Sequence, residues 1–146
     1  MRISMEEKKN MPTDPGLQGN ERIEAAIAGL QQEASQEQLA HVLTIIRRRM
    51  KEKGQLIIAV EPFTADSGIR LQAVETADGG KWWMAFTNFE EELKGGDGVK
   101  STFLTDMDKL FETAVSVGEI RGIILNPWNR TLMLDKNLLN IIMGKI

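Results

Sequence analysis

The chain has no cysteine among its 146 residues and only one histidine, His41. The lack of cysteine excludes disulfides, thiolate metal sites and a cysteine nucleophile. Positive charge is also short: 18 lysines and arginines against 21 acidic residues give a formal charge of −3 and a pI near 5.3. No basic field is therefore present to attract nucleic acid or an anionic membrane. Long apolar runs are missing as well, none approaching the roughly 20 residues of a membrane helix. The start, Met1-Arg2-Ile3-Ser4-Met5, passes directly into Glu6-Glu7-Lys8-Lys9 without the apolar core of an export signal. These absences point to a soluble cytoplasmic protein that uses neither nucleic acid nor membrane as a partner.

What remains is ordinary globular material, 42% apolar and 27% charged, enough for one domain with a real core. Residues 1–19 are polar and carry Pro12, Pro15 and Gly16; they read as a flexible tail. Residues 20–146 read as a single domain. Asn20 is placed to cap a helix on which Ile23, Ile27 and Leu30 recur at helical spacing. Ser35-Gln36-Glu37-Gln38 matches a capping box and opens a second helix to about Lys53, its inner face Leu39, Val42, Leu43, Ile46 and Met50, with Gly54 suited to its C′ position.

Leu56 to Val60 is a continuous apolar run, as expected of a strand covered on both faces, and Pro62 closes it. Ile69 to Val74 alternates, Asp78-Gly79-Gly80 supplies a turn, and Lys81 to Thr87 returns as the partner strand. Asn88 to Leu93 suits a short helix with Glu90, Glu91 and Glu92 at its positive end. After the connector Gly95-Gly96-Asp97-Gly98, Val99 to Leu104 is extended, and a helix from about Thr105 carries Met107, Leu110 and Phe111 until Gly118. A second unbroken run, Ile123-Ile124-Leu125, ends at Asn126-Pro127. Asn129 is suited to the left-handed conformation of a tight turn, and Thr131 to Leu134 resumes a strand. Asp135 caps a closing helix with Leu138, Leu139, Ile141 and Ile142. The order specifies an α/β or α+β fold, a mixed sheet of five or six strands with helices packed on it.

With these elements assigned, the chain resembles the N-terminal domain of the SseB family of bacterial proteins. The resemblance lies in Gly122 to Trp128, in Leu132-Met133-Leu134-Asp135 with the helix that follows, in Phe86 to Leu93, and in Leu56 to Pro62. It spans about Asn20 to the end. Asn129 departs from the glycine that the family often has there, and longer members continue into a second domain. The family's name refers to enhanced serine sensitivity, a phenotype. The resemblance implies an α/β fold and a bacterial cytosolic setting, and it supplies no catalytic residue.

No constellation of reactive residues emerges. His41 falls with Glu37, Thr44 and Arg48, off the apolar stripe, without an evident nucleophile or orienting partner. Asp106 and Asp108 suit helix capping, no loop has calcium-binding spacing, and the glycine connector lacks the lysine and order of a phosphate loop. No metal, cofactor or catalytic residue is thus expected. Arg47 to Lys53 reads as a solvated basic helix end. The residues with spare binding capacity are Trp83, Asn126 and Trp128. On the strand Lys81 to Thr87, Trp82 shares its face with Met84 and Phe86, so Trp82 is expected to face the core and Trp83 to be the more exposed. The sequence therefore suggests a non-catalytic interaction or regulatory module acting through a protein partner or self-association. The alternative is a domain that senses a metabolite or amino acid.

Overall fold

The computed structural model describes residues 15–60, 71–89, 101–128 and 131–145. A 3-10 turn, Pro15–Leu17, precedes helices α1 (Glu21–Gln32) and α2 (Gln36–Lys51). Strands β1 (Gln55–Val60), β2 (Ala73–Glu75), β3 (Lys81–Phe86) and β4 (Ser101–Asp106) follow, then α3 (Met107–Ser116), β5 (Ile120–Leu125), β6 (Leu132–Asp135) and α4 (Lys136–Met143). The six strands form one mixed sheet, the α/β arrangement expected, with spatial order β4-β1-β3-β5-β6 and β2 also paired to β3. Among the described strands all pairings are antiparallel except β3 with β5.

Local chemistry explains most of the boundaries. The Ser35 hydroxyl accepts from the Gln38 N–H at 3.1 Å, and the Asp135 carboxylate accepts from the Leu138 N–H at 2.9 Å, so α2 and α4 begin on side-chain caps. Gly144, with φ of 75°, ends α4 in a left-handed turn. At the end of α2 the left-handed residue is Lys53 rather than Gly54. Gly54 is required for a different reason: a Cβ there would lie 2.7 Å from the Arg49 carbonyl oxygen. Gly122 answers the same need between β5 and β6, where a Cβ would lie 2.1 Å from the Leu134 carbonyl oxygen.

All four helices contribute to one core against one face of the sheet. Ile23, Ile27, Val42, Ile46, Met107, Phe111, Leu139 and Ile142 meet Leu56, Ile58, Ala85, Ile123, Leu125 and Leu134 there. The opposite face carries a smaller cluster of Ile57, Met84 and Phe86 closed by Leu17. Among the described residues, helices therefore do not supply the two-sided cover that the apolar runs suggested. Residues 15–19 also belong to the fold rather than to a tail, since Leu17 is buried in that second cluster.

The tryptophan assignment needs correction as well. Trp82 and Trp83 are both half-buried, and it is Trp83 that packs against the helix-side core. The larger apolar set on the Trp82 face misled: Ala85, on the Trp83 face, is small yet fully buried in the helix-side core. The expected helix from Asn88 to Leu93, the strand residues Ile69 and Arg70, the glycine connector and the turn residue Asn129 lie wholly or mainly outside the described residues. The left-handed residue that the structure does show near that turn is Asn126, with φ of 53°.

Candidate functional site

The most organised polar assembly sits where β3 and β5 end side by side. Five buried polar residues meet or adjoin there: Asn20, Glu24, Arg49, Thr87 and Asn126. Asn126 leaves β5 in a left-handed conformation, and its backbone N–H donates to the Ala85 carbonyl at 2.8 Å, extending the parallel pairing by one residue. Its side chain turns to β3: the amide Nδ2 donates to Thr87 Oγ1 at 3.0 Å, and Oδ1 accepts from the Thr87 N–H at 3.0 Å. The Thr87 hydroxyl in turn donates to Glu24 Oε2 at 2.5 Å, and Asn88 Nδ2 donates to the same oxygen.

Asn20 is the second centre of this assembly. It stands at the start of α1, but its side chain does not cap the helix. Nδ2 donates to the backbone carbonyls of Gln55 at 2.9 Å and Thr87 at 3.1 Å, while Oδ1 accepts from Arg49 Nε at 2.9 Å. Arg49 also donates to the Gly16 carbonyl at 2.8 Å and to Glu52 Oε1 at 2.9 Å. Its guanidinium fits because Gly19 and Gly54 bring backbone close to it; a Cβ at either position would lie 3.1 or 2.8 Å from a guanidinium nitrogen. Arg49 is thus not part of a solvated basic end. It is 5% exposed and ties the N-terminal turn, α2 and the sheet into one bonded unit. Every donor in the chain of bonds just traced meets an acceptor within the protein, the pattern of a satisfied structural network.

Of the three candidate binding residues, only Asn126 enters this network. Trp128 lies two residues beyond it and is 46% exposed. Trp83 lines a separate, half-open cleft of about 580 Å³ between β2, the start of β3 and the end of α3. Leu71, Val74, Val117 and Ile120 join Trp83 there, with Lys81, Glu75 and Glu119 among the polar walls. Neither Asn126 nor Trp128 is among the described residues that line that cleft.

His41 is exposed on α2. Among the described residues no group of three or more histidine or acidic side chains is placed to hold a metal ion, and no helix is long and apolar enough to cross a membrane. The carboxyl of Asp78, in the β2–β3 turn, is held below its ordinary value first by the Thr76 hydroxyl and then by the Gly80 N–H and Arg121.

Sequence reading missed Arg49, Glu24 and Thr87. A signal for Arg49 existed, because it lies three and seven residues beyond Ile46 and Val42 on the buried stripe of α2. Comparison with known proteins adds no relative: no family model, curated protein or solved structure matches the chain.

Proposed function

We propose that this domain is a non-catalytic interaction or regulatory module of the SseB N-terminal type, working in a bacterial cytosol through contacts with a protein partner or with its own copies. The observation that carries this reading is the apolar surface around the outer strand β6. Trp128 on the turn before it is 46% exposed and Met133 within it is 42% exposed. Among the described residues no strand pairs the outer edge of β6, leaving backbone groups and large side chains together on one border. Tryptophan and methionine are enriched at the centres of protein interfaces, and an open edge can accept a further strand. The buried polar network supports the reading indirectly, since its bonds are spent on joining chain segments.

The test is a double substitution, Trp128→Ser with Met133→Asp, compared with the parent chain. Cross-linked capture from a bacterial lysate, with light scattering of the purified protein, should find a partner or oligomer that the variant loses while its circular dichroism is kept. Equal capture and equal mass for the folded variant would refute the reading.

A second reading, sensing of a small molecule, is favoured by the Trp83 cleft. Its volume of about 580 Å³ lies within the range that small ligands occupy. Calorimetry against metabolites that include amino acids tests it through saturable heat.

A further inference from the structure

The walls of the Trp83 cleft differ in chemistry in a way that selects among ligands. The apolar part is Trp83 with Leu71, Val117 and Ile120, drawn from β2–β3 and the end of α3. Trp83 is half-buried and packs on the main core, so its ring is held by the fold while part of it remains accessible. The charged part is uneven. Among the described lining residues, Glu75 and Glu119 stand against the single ammonium of Lys81. Glu75 stands opposite Lys81 in the β2–β3 pairing, and the Glu119 carboxylate lies 4.0 Å from Lys81 Nζ. Lys81 is ion-paired with Glu119, while Glu75 is its neighbour only by strand register.

Helix α3 borders the same cleft. Thr113 and Val117, from its last turn and C-cap, reach the cleft, so the carbonyl end of the helix with its partial negative charge faces this region. Lys136 offsets that end in part, its Nζ donating to the Val117 carbonyl at 2.9 Å. A held indole beside excess carboxylate is the chemistry that recognises an organic ammonium: the ring face attracts the cation and the carboxylate orients it.

Resting on the small-molecule reading, we propose that the Trp83 cleft binds an organic cation, a small molecule with an apolar body and one ammonium group. The apolar body lies along Val117 and Ile120, and the ammonium sits against the Trp83 ring where Glu119 and Glu75 meet it. Because Glu119 and Lys81 are well exposed, the charge contribution is screened and falls as salt is added.

Three probes of similar size test this on the full chain: 2-phenylethylammonium, 2-phenylethanol and phenylacetate. Calorimetry measures affinity, and amide shifts of Thr113 and Val117 report whether the cleft is occupied. The ammonium should bind most tightly and weaken with salt. Trp83→Leu should reduce its affinity roughly two- to thirtyfold, the span of a cation–π contact. Glu75→Gln with Glu119→Gln, both at exposed positions and so compatible with folding, should remove its preference over the alcohol. Should the alcohol or phenylacetate bind the parent chain as tightly with the same amide shifts, the cation assignment falls while the cleft stands as a ligand site. Should no probe bind saturably at millimolar concentration, both the assignment and the small-molecule reading fall.

Discussion

Replacing Asn20 with alanine distinguishes a helix cap from a structural hub. An ordinary N-cap asparagine is worth about 1 kcal/mol, and Ser35, whose hydroxyl caps α2 at 3.1 Å, provides that reference within the same chain. Asn20 instead donates to two backbone carbonyls and accepts from Arg49. Its removal strands two acceptors and one charged donor in a site where Asn20 itself is 1% exposed. Each stranded buried group costs about 1–3 kcal/mol, and Gln55 is only partly buried, so water recovers a share. The expected loss for Asn20→Ala is therefore about 3–5 kcal/mol, against about 1 kcal/mol for Ser35→Ala. With a urea slope of about 2 kcal/mol per molar, the midpoint should fall by about 2 M for the first and about 0.5 M for the second. Arg49→Met should be costly alone but much less than additive with Asn20→Ala, because the two side chains share one bond. Equal midpoint shifts for the two alanine variants, or full additivity with Arg49→Met, would refute the hub.

Gly122→Ala should cost about 3 kcal/mol or more in thermal or urea unfolding, since its Cβ meets the Leu134 backbone oxygen and neither strand can yield without unpairing; a shift under 1 kcal/mol would contradict the register of β5 with β6. Leu17→Ala should cost about 2–3 kcal/mol, whereas a free tail would show no change in melting temperature. For Asp78 the folded value is depressed below 3.8, so its contribution is complete above the unfolded pKa and is lost as pH falls through the folded one. A carboxyl titration followed by NMR should have its midpoint below 3.8 and move upward in Thr76→Val; a midpoint at or above 3.8 in the parent chain would contradict the turn's hydrogen bonding.

Helix and strand positions were legible because burial leaves a period in the sequence. The spacing of Val42 and Ile46, the unbroken runs in β1 and β5, and the caps Ser35 and Asp135 each act within a few residues of the feature they set. The polar network was not legible because its partners are distant in the chain. Asn20 meets Thr87 across 67 positions, Thr87 meets Glu24 across 63, and Arg49 meets Asn20 across 29. Asn20 looked like a cap since asparagine at a helix start normally is one. Arg49 was masked by its cationic neighbours, although its place on the stripe marked it. Which sheet face takes the helices was also hidden, because Trp82-Trp83-Met84-Ala85-Phe86 offers apolar side chains to both. Asn126 was expected as a binding residue, but its side chain bonds to Thr87 at the end of a strand pair, and Trp83 lines a cleft elsewhere.

The parallel pairing of β3 with β5 has a consequence for how the chain is made. β3 can meet β2 and β1 soon after it is synthesised, since those strands precede it. Its other neighbour follows only after β4 and α3, and β5 then has its far side bare until residues 132–135 arrive. A released product that ends between β5 and β6 leaves Ile123, Ile124 and Leu125, an unbroken apolar run, as an open template. Quality control of this protein should therefore centre on its last strand and helix, and truncated products ending near Asn126 should aggregate rather than merely lose stability.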